Sequence, residues 1–134
     1  MSVPEISVQL KNTPGQLVQI TAILAEAGVN IKAVTASSAG KTGWVRFIVD
    51  KPKLAEEALE DCGIQADAGE ALAVLLPDEV GSLDRALRVL ADQRINVDYL
   101  YICPNRSTET LVILGVQTPG KAEKMLKQNG IETI

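Results

Sequence analysis

The sequence predicts an α+β fold made of two tandem units, each running strand–helix–strand–strand–helix–strand, with antiparallel sheets that carry their helices on one face. Three observations lead there. First, the stretch Asn12-Thr13-Pro14-Gly15-Gln16-Leu17, which opens a helix, returns as Asp78-Glu79-Val80-Gly81-Ser82-Leu83. The copies align without a gap, Gly15 on Gly81, Leu24 on Leu90 and Asn30 on Asn96, at an offset close to half the chain, so the repeat governs the fold. Second, within each copy the apolar period switches from two, as in a strand, to about 3.6, as in a helix. Third, the chain has 134 residues. Half of that is marginal as an isolated unit, so the halves are expected to share a sheet or a core.

Ile6, Val8 and Leu10 alternate with Ser7, Gln9 and Lys11, the pattern of a half-buried strand. Pro14-Gly15 supplies turn chemistry and ends it. Leu17, Ile20, Ile23, Leu24 and Ala27 then fall on one helical face, and Gly28 suits the left-handed position after the last turn. Residues 31–38 read as a second strand and residues 43–49 as a third, joined by a small-residue hairpin turn. Pro52 near a first turn opens a second helix, Gly63 stops it, and residues 64–68 form a short fourth strand. This is the split βαβ, or ferredoxin-like, plan. The second unit repeats it, with strands at 71–76, 97–103 and 108–116, a stub at 132–134, helices at 82–94 and 119–129, and a turn at Pro104-Asn105-Arg106-Ser107. The domain boundary is expected at 1–69 and 70–134, with no linker-like run between them. Leu111 to Val116 is apolar on both faces, so the outer sheet face of the second unit is expected to pack on a second protomer.

Composition excludes several classes of function. Hydrophobic residues are 46% and charged residues 22%, a globular balance, and no apolar run reaches a membrane-spanning length. The net charge is −4 with no basic stripe, which argues against nucleic acid as a partner. The first residues lack the pattern of a signal peptide, and Cys62 and Cys103 lie far apart, so a reduced, cytoplasmic setting is expected. Histidine is absent, which removes a His-dependent triad and a His-ligated zinc site; no metal and no cofactor are expected. Gly40-Lys41-Thr42 imitates the end of a phosphate-binding loop, but Thr35 stands where a glycine is needed and a strand follows instead of a helix. The acids Glu56, Glu57, Glu60, Asp61, Asp84 and Asp92 alternate with Lys and Arg and read as solvated helix faces. No catalytic group emerges.

The remaining candidate is the repeated glycine loop. A glycine before a helix lets the backbone approach a ligand, while the N–H groups of the first turn hold an anion such as a carboxylate. Asn12 can offer its amide oxygen to an ammonium group. Asn12 and Asp78 also suit a cap or an Asx-turn, and Trp44 suits partial burial on a strand or a wall beside a ligand.

These residues resemble the ACT domain family of small-molecule regulatory modules. The resemblance rests on Asn12-x-Pro14-Gly15-x-Leu17, then a helix ending Ala27-Gly28-Val29-Asn30-Ile31, then a strand, and it extends over the chain as two ACT units. The second unit keeps Gly81-x-Leu83 and Ile95-Asn96-Val97 but has Asp78 and Val80 for Asn12 and Pro14. The resemblance implies a stand-alone, non-catalytic, homodimeric protein that binds an amino acid between paired ACT units. It places Asn12, Pro14, Gly15, Gln16 and Leu17 against Asn96 and Val97, and Asp78, Gly81, Ser82 and Leu83 against Asn30 and Ile31. Asp78 repels a carboxylate, so the Asn12 loop ranks first. The alternative is a dimerisation or docking module for a separate metabolic enzyme, with no ligand of its own.

Overall fold

A computed structural model describes residues 2–104 and 108–134 of the chain. Of the expected turn at 104–107, residues 105–107 lie outside the described residues. The elements are β1 (Ser2–Lys11), α1 (Gln16–Glu26), β2 (Ile31–Ala39), β3 (Thr42–Val49), α2 (Pro52–Asp61), β4 (Asp67–Pro77), α3 (Ser82–Asp92), β5 (Val97–Cys103), β6 (Glu109–Val116), α4 (Pro119–Gln128) and β7 (Glu132–Thr133). The fold is α+β, with antiparallel strands and the ferredoxin-like order in each half. The chain divides into two compact units, Pro4–Gly69 and Glu70–Ile134, the latter joined by the first residues of the chain.

In the first unit β3 lies between β1 and β2. Alternation puts Val45, Phe47 and Val49 on the helix side, where they meet Ile6, Val8, Ile20, Leu24 and Leu59 in one core. Trp44, Arg46 and Ile48 take the other face, half-buried. The β2–β3 hairpin turns through Gly40-Lys41, with Gly40 at φ 64°, as the hairpin reading requires.

In the second unit β6 lies between β5 and β4, and β7 borders β4. Leu72, Val74, Leu90, Val112, Leu114 and Leu126 form its core. Helices α1 to α4 share one ending. The residue after the last turn is left-handed, and the next residue, Val29, Ile64, Ile95 or Ile131, donates its N–H to the carbonyl of Leu24, Leu59, Leu90 or Leu126 at 2.9–3.0 Å. Glycine fills the left-handed position at Gly28, Gly63 and Gly130; at the fourth stands Arg94, at φ 57°.

Two expectations change. The short strand at 64–68 and the strand at 71–76 are one strand, Asp67–Pro77. Ile64 is drawn instead into the helix-ending motif of α2, so the extended backbone starts later. The outer face of the second unit's sheet is also not left for a second protomer. Ala73, Ile113, Tyr101 and Cys103 are 0%, 1%, 7% and 7% exposed in the single chain. Tyr99 is paired with Gly115 across the strands, and its ring fills the space a side chain at 115 would need. Tyr99 and Tyr101 stack at 6.3 Å. Among the described residues, no helix is long and apolar enough to cross a membrane.

Candidate functional site

The glycine loop has the same backbone in both units. Gly15 and Gly81 each precede a helix at φ 88°, a left-handed value open to glycine and strained for other residues. A methyl group on Gly15 would meet nothing within 4 Å, so backbone conformation, not crowding, requires glycine there. No side chain caps either helix. In α1 the first helical bond runs from the Gln19 N–H to the Gly15 carbonyl at 3.1 Å, which leaves the N–H groups of Leu17 and Val18 ahead of the helical ladder.

What surrounds the two loops differs. In the first unit, Asn12 donates from its backbone N–H to the Lys41 carbonyl and from Nδ2 to the Gly40 carbonyl, both at 2.9 Å. These bonds pin the loop to the β2–β3 turn and leave Asn12 Oδ1 as an acceptor. Asp78, its counterpart, donates its backbone N–H to the Thr108 carbonyl at 3.2 Å, and its carboxylate cannot donate as the Asn12 amide does.

A cavity of about 380 Å³ opens at the first loop, lined by residues 10–18 and by Ala36, Ser37, Ser38, Gly43 and Trp44. At the second loop the corresponding cavity is about 190 Å³. Strand register explains the loss. Ile102 stands where the first unit has Ala36, Leu100 where it has Val34, and Thr110 where it has Gly43. Larger side chains occupy the room.

The structure therefore brings Asn12, Pro14, Gly15, Gln16 and Leu17 together at one cavity, and Asp78, Ser82 and Leu83 at the other. It does not bring the strand-opening asparagines to the loop of their own unit. Asn30 and Ile31 begin β2, whereas the cavity meets β2 at residues 36–38, six residues of strand or about 20 Å away. The Asn30 backbone is tied to Asp50, whose Oδ1 accepts its N–H at 2.9 Å. Asn96 donates from Nδ2 to Asp98 at 2.9 Å and lines a separate cavity with Arg94 and Lys121. Sequence reasoning missed Ala36, Ser38 and Gly43; the small residues along 36–43 were the available signal, read only as strand ends and a turn. Trp44 touches the first cavity, but its ring lies under the Arg46 guanidinium at 5.6 Å, which fits the packing role better than a lid. Among the described residues, no group of three or more acids and cysteines is placed to hold a metal.

The ACT domain pair family matches residues 1–134. The chain belongs to that family. A Bacteroides thetaiotaomicron protein superposes on this ACT pair with a TM-score of 0.91 at 24% identity, covering all of this chain and 92% of that one. The ligand-free regulatory subunit of aspartate kinase from Thermus thermophilus gives 0.66 at 19% identity, covering 93% and 91%. Aspartokinase III from E. coli, in complex with lysine and aspartate, gives 0.52 at 15% identity, covering 95% of this chain and 31% of that enzyme. At these identities the likeness concerns the fold. No curated protein matches in sequence.

Proposed function

We propose that this ACT pair is a non-catalytic regulatory protein that binds an amino acid at the glycine loop of its first unit. The observation that carries the reading is the 380 Å³ cavity opening onto an uncapped helix start. The ligand carboxylate sits on the N–H groups of Leu17 and Val18, where the helix dipole favours an anion. Asn12 Oδ1 takes the ammonium group, and the side chain enters the space over Ala36 and Gly43. Gln16 lines the rim, and a facing ACT unit closes the site with the start of its second strand, Asn96 and Val97 in one pairing or Asn30 and Ile31 in the other. The second loop, with Gly81, Ser82 and Leu83 but half the room and Asp78 beside it, is the weaker site. The Thermus relative is a regulatory subunit and the E. coli enzyme holds lysine and aspartate, which agrees with regulation by an amino acid. Binding acts on a partner enzyme by favouring one packing of the ACT units over another.

A thermal-shift screen of the twenty amino acids tests this. A true ligand at 100 times its Kd adds about 2.7 kcal/mol to stability. Asn12→Ala and Ala36→Ile are each expected to weaken the hit at least tenfold; Ala36→Ile copies what the second unit already accommodates, so the fold survives it. A blank screen sinks the ligand reading and favours the docking module. The exposed Leu17, Val18 and Val34, at 45%, 67% and 52%, give that second reading its own support.

A further inference from the structure

The second unit holds another cavity, of about 500 Å³, which adjoins the one at its glycine loop and shares Leu76, Pro77 and Ser82 with it. It runs along the first two turns of α3 and reaches the α4–β7 turn. Its floor is apolar, built from Leu75, Leu76, Val89 and Ile131. Arg85 and Arg88 also line the cavity. Arg88 is committed to Asp84 at 2.8 Å, one turn earlier on the same helix. Arg85 is not: among the described residues it has no acidic partner, and its Nη2 reaches the Ser82 hydroxyl at 3.4 Å. Ser82 is only 5% exposed, an uncommon degree of burial for a serine.

The repeat supplies an internal control. The first unit has a cavity of about 530 Å³ in the corresponding place, beside Gln16 and Gln19 and the connection after α2. There Gln16 stands for Ser82, Gln19 for Arg85 and Ala22 for Arg88. The fold thus builds this cavity with or without a cation on the helix, so Arg85 is no requirement of packing. An arginine without an acidic partner above an apolar floor matches one kind of ligand, a carboxylate attached to a hydrocarbon body. Glu132, which also lines the cavity, disfavours a second negative charge, which limits the ligand to a monocarboxylate.

We propose that this cavity is a ligand site in its own right, for a small organic monocarboxylate with an apolar body. The Arg85 guanidinium takes the carboxylate, the Ser82 hydroxyl steadies the guanidinium, and Leu75, Val89 and Ile131 cover the hydrocarbon part. The site is independent of the glycine-loop reading and does not need it.

An NMR titration of the ¹⁵N-labelled full chain with isocaproate, and separately with its uncharged analogue isocaproamide, tests the proposal. Isocaproate is expected to give saturable shifts at the amides of Arg85, Val89, Gly130 and Ile131, and isocaproamide to bind at least tenfold more weakly. Arg85→Gln is expected to lower isocaproate affinity to the level of the amide, while Lys121→Gln, outside the cavity, leaves it within twofold. Both positions are exposed, and the spectrum itself reports that each variant is folded. Equal binding of acid and amide, an unchanged affinity in Arg85→Gln, or shifts confined to residues 12–18 or to residues 78–83 would each overturn the proposal, as would no shift at all.

Discussion

The residue with the clearest conformational cost is Arg94. Three of the four helix endings put glycine in the left-handed position, and Arg94 adopts φ 57° in the fourth because the same ending is imposed by Ile95 bonding back to Leu90. A side chain in that region costs about 1–2 kcal/mol, and glycine gives part of the gain back through its freer unfolded state. Arg94→Gly is therefore expected to raise stability by about 0.5–1 kcal/mol, measured by urea denaturation. A loss of stability would mean that the arginine side chain makes contacts worth more than the strain. Glu123 carries the pH-dependent prediction. It accepts from Lys127 at 2.9 Å, one turn on, and from Thr133 of β7 at 3.3 Å. The Lys127 contact is the first cause of its pKa being lowered from 4.5 to about 2. A depressed carboxylate stabilises the fold above its unfolded pKa, and that contribution fades as pH falls from about 4.5 towards 2. Glu123→Gln should then lose less stability than the parent over that interval in acid-dependent melting curves. Identical slopes would rule out the contribution.

At the scale of elements, the two sheets solve one problem in different ways. The outer face of the first sheet carries Ser7, Gln9, Thr35 and Arg46 and tolerates water. That of the second carries Ala73, Ile113 and Gly115, and the Tyr99 ring of β5 lies over Gly115. Gly115 is there because Tyr99 lies on it: in cross-strand register the ring takes the volume of the missing side chain. Gly115→Ala pushes a methyl group into that ring and is expected to cost about 1–3 kcal/mol as an overpacking change, read from the denaturation midpoint. Tyr99→Ala in the same background should recover part of the loss, since the clash is then gone. The same logic explains the two glycine-loop cavities. Identical loops present identical helix starts, but the strand opposite decides how much room remains: Ala36 and Gly43 leave it, Ile102 and Thr110 take it.

For the whole molecule, much of the apolar surface that stays exposed gathers in two patches. Leu17, Val18 and Val34 crowd one side of the first unit, and Leu83, Leu100 and Ile102 crowd the equivalent side of the second, at 39%, 39% and 61% exposure. β2 and β5, which carry part of each patch, are edge strands of their units with unpaired backbone groups along one side. Pairing of such an edge with another copy would cover the patch beside it. Sedimentation velocity is expected to find a dimer at micromolar concentration, and the double variant Val34→Lys, Ile102→Lys a folded monomer. A parent protein that sediments as a monomer would refute this assembly.

The sequence by itself determined the repeat, the order of the elements, the apolar faces of strands and helices and the glycine loops, because periodicity and turn chemistry are local and act residue by residue. Gly15, Gly28 and Pro52 announced their positions through backbone limits that no neighbour has to supply. Tertiary structure alone decided the rest. Residues 64–68 gave up their strand start to a helix-ending bond, and Tyr99 covered Gly115 from another strand. Ala36 and Gly43 joined the loop cavity from 20 or more positions along the chain, and Arg85 came to line a partly apolar hollow with Leu75 and Ile131. Each of these depends on what lies across a strand pair or beneath a helix, and hydrophobic periodicity records which face is buried but not which side chain meets it or how much space remains.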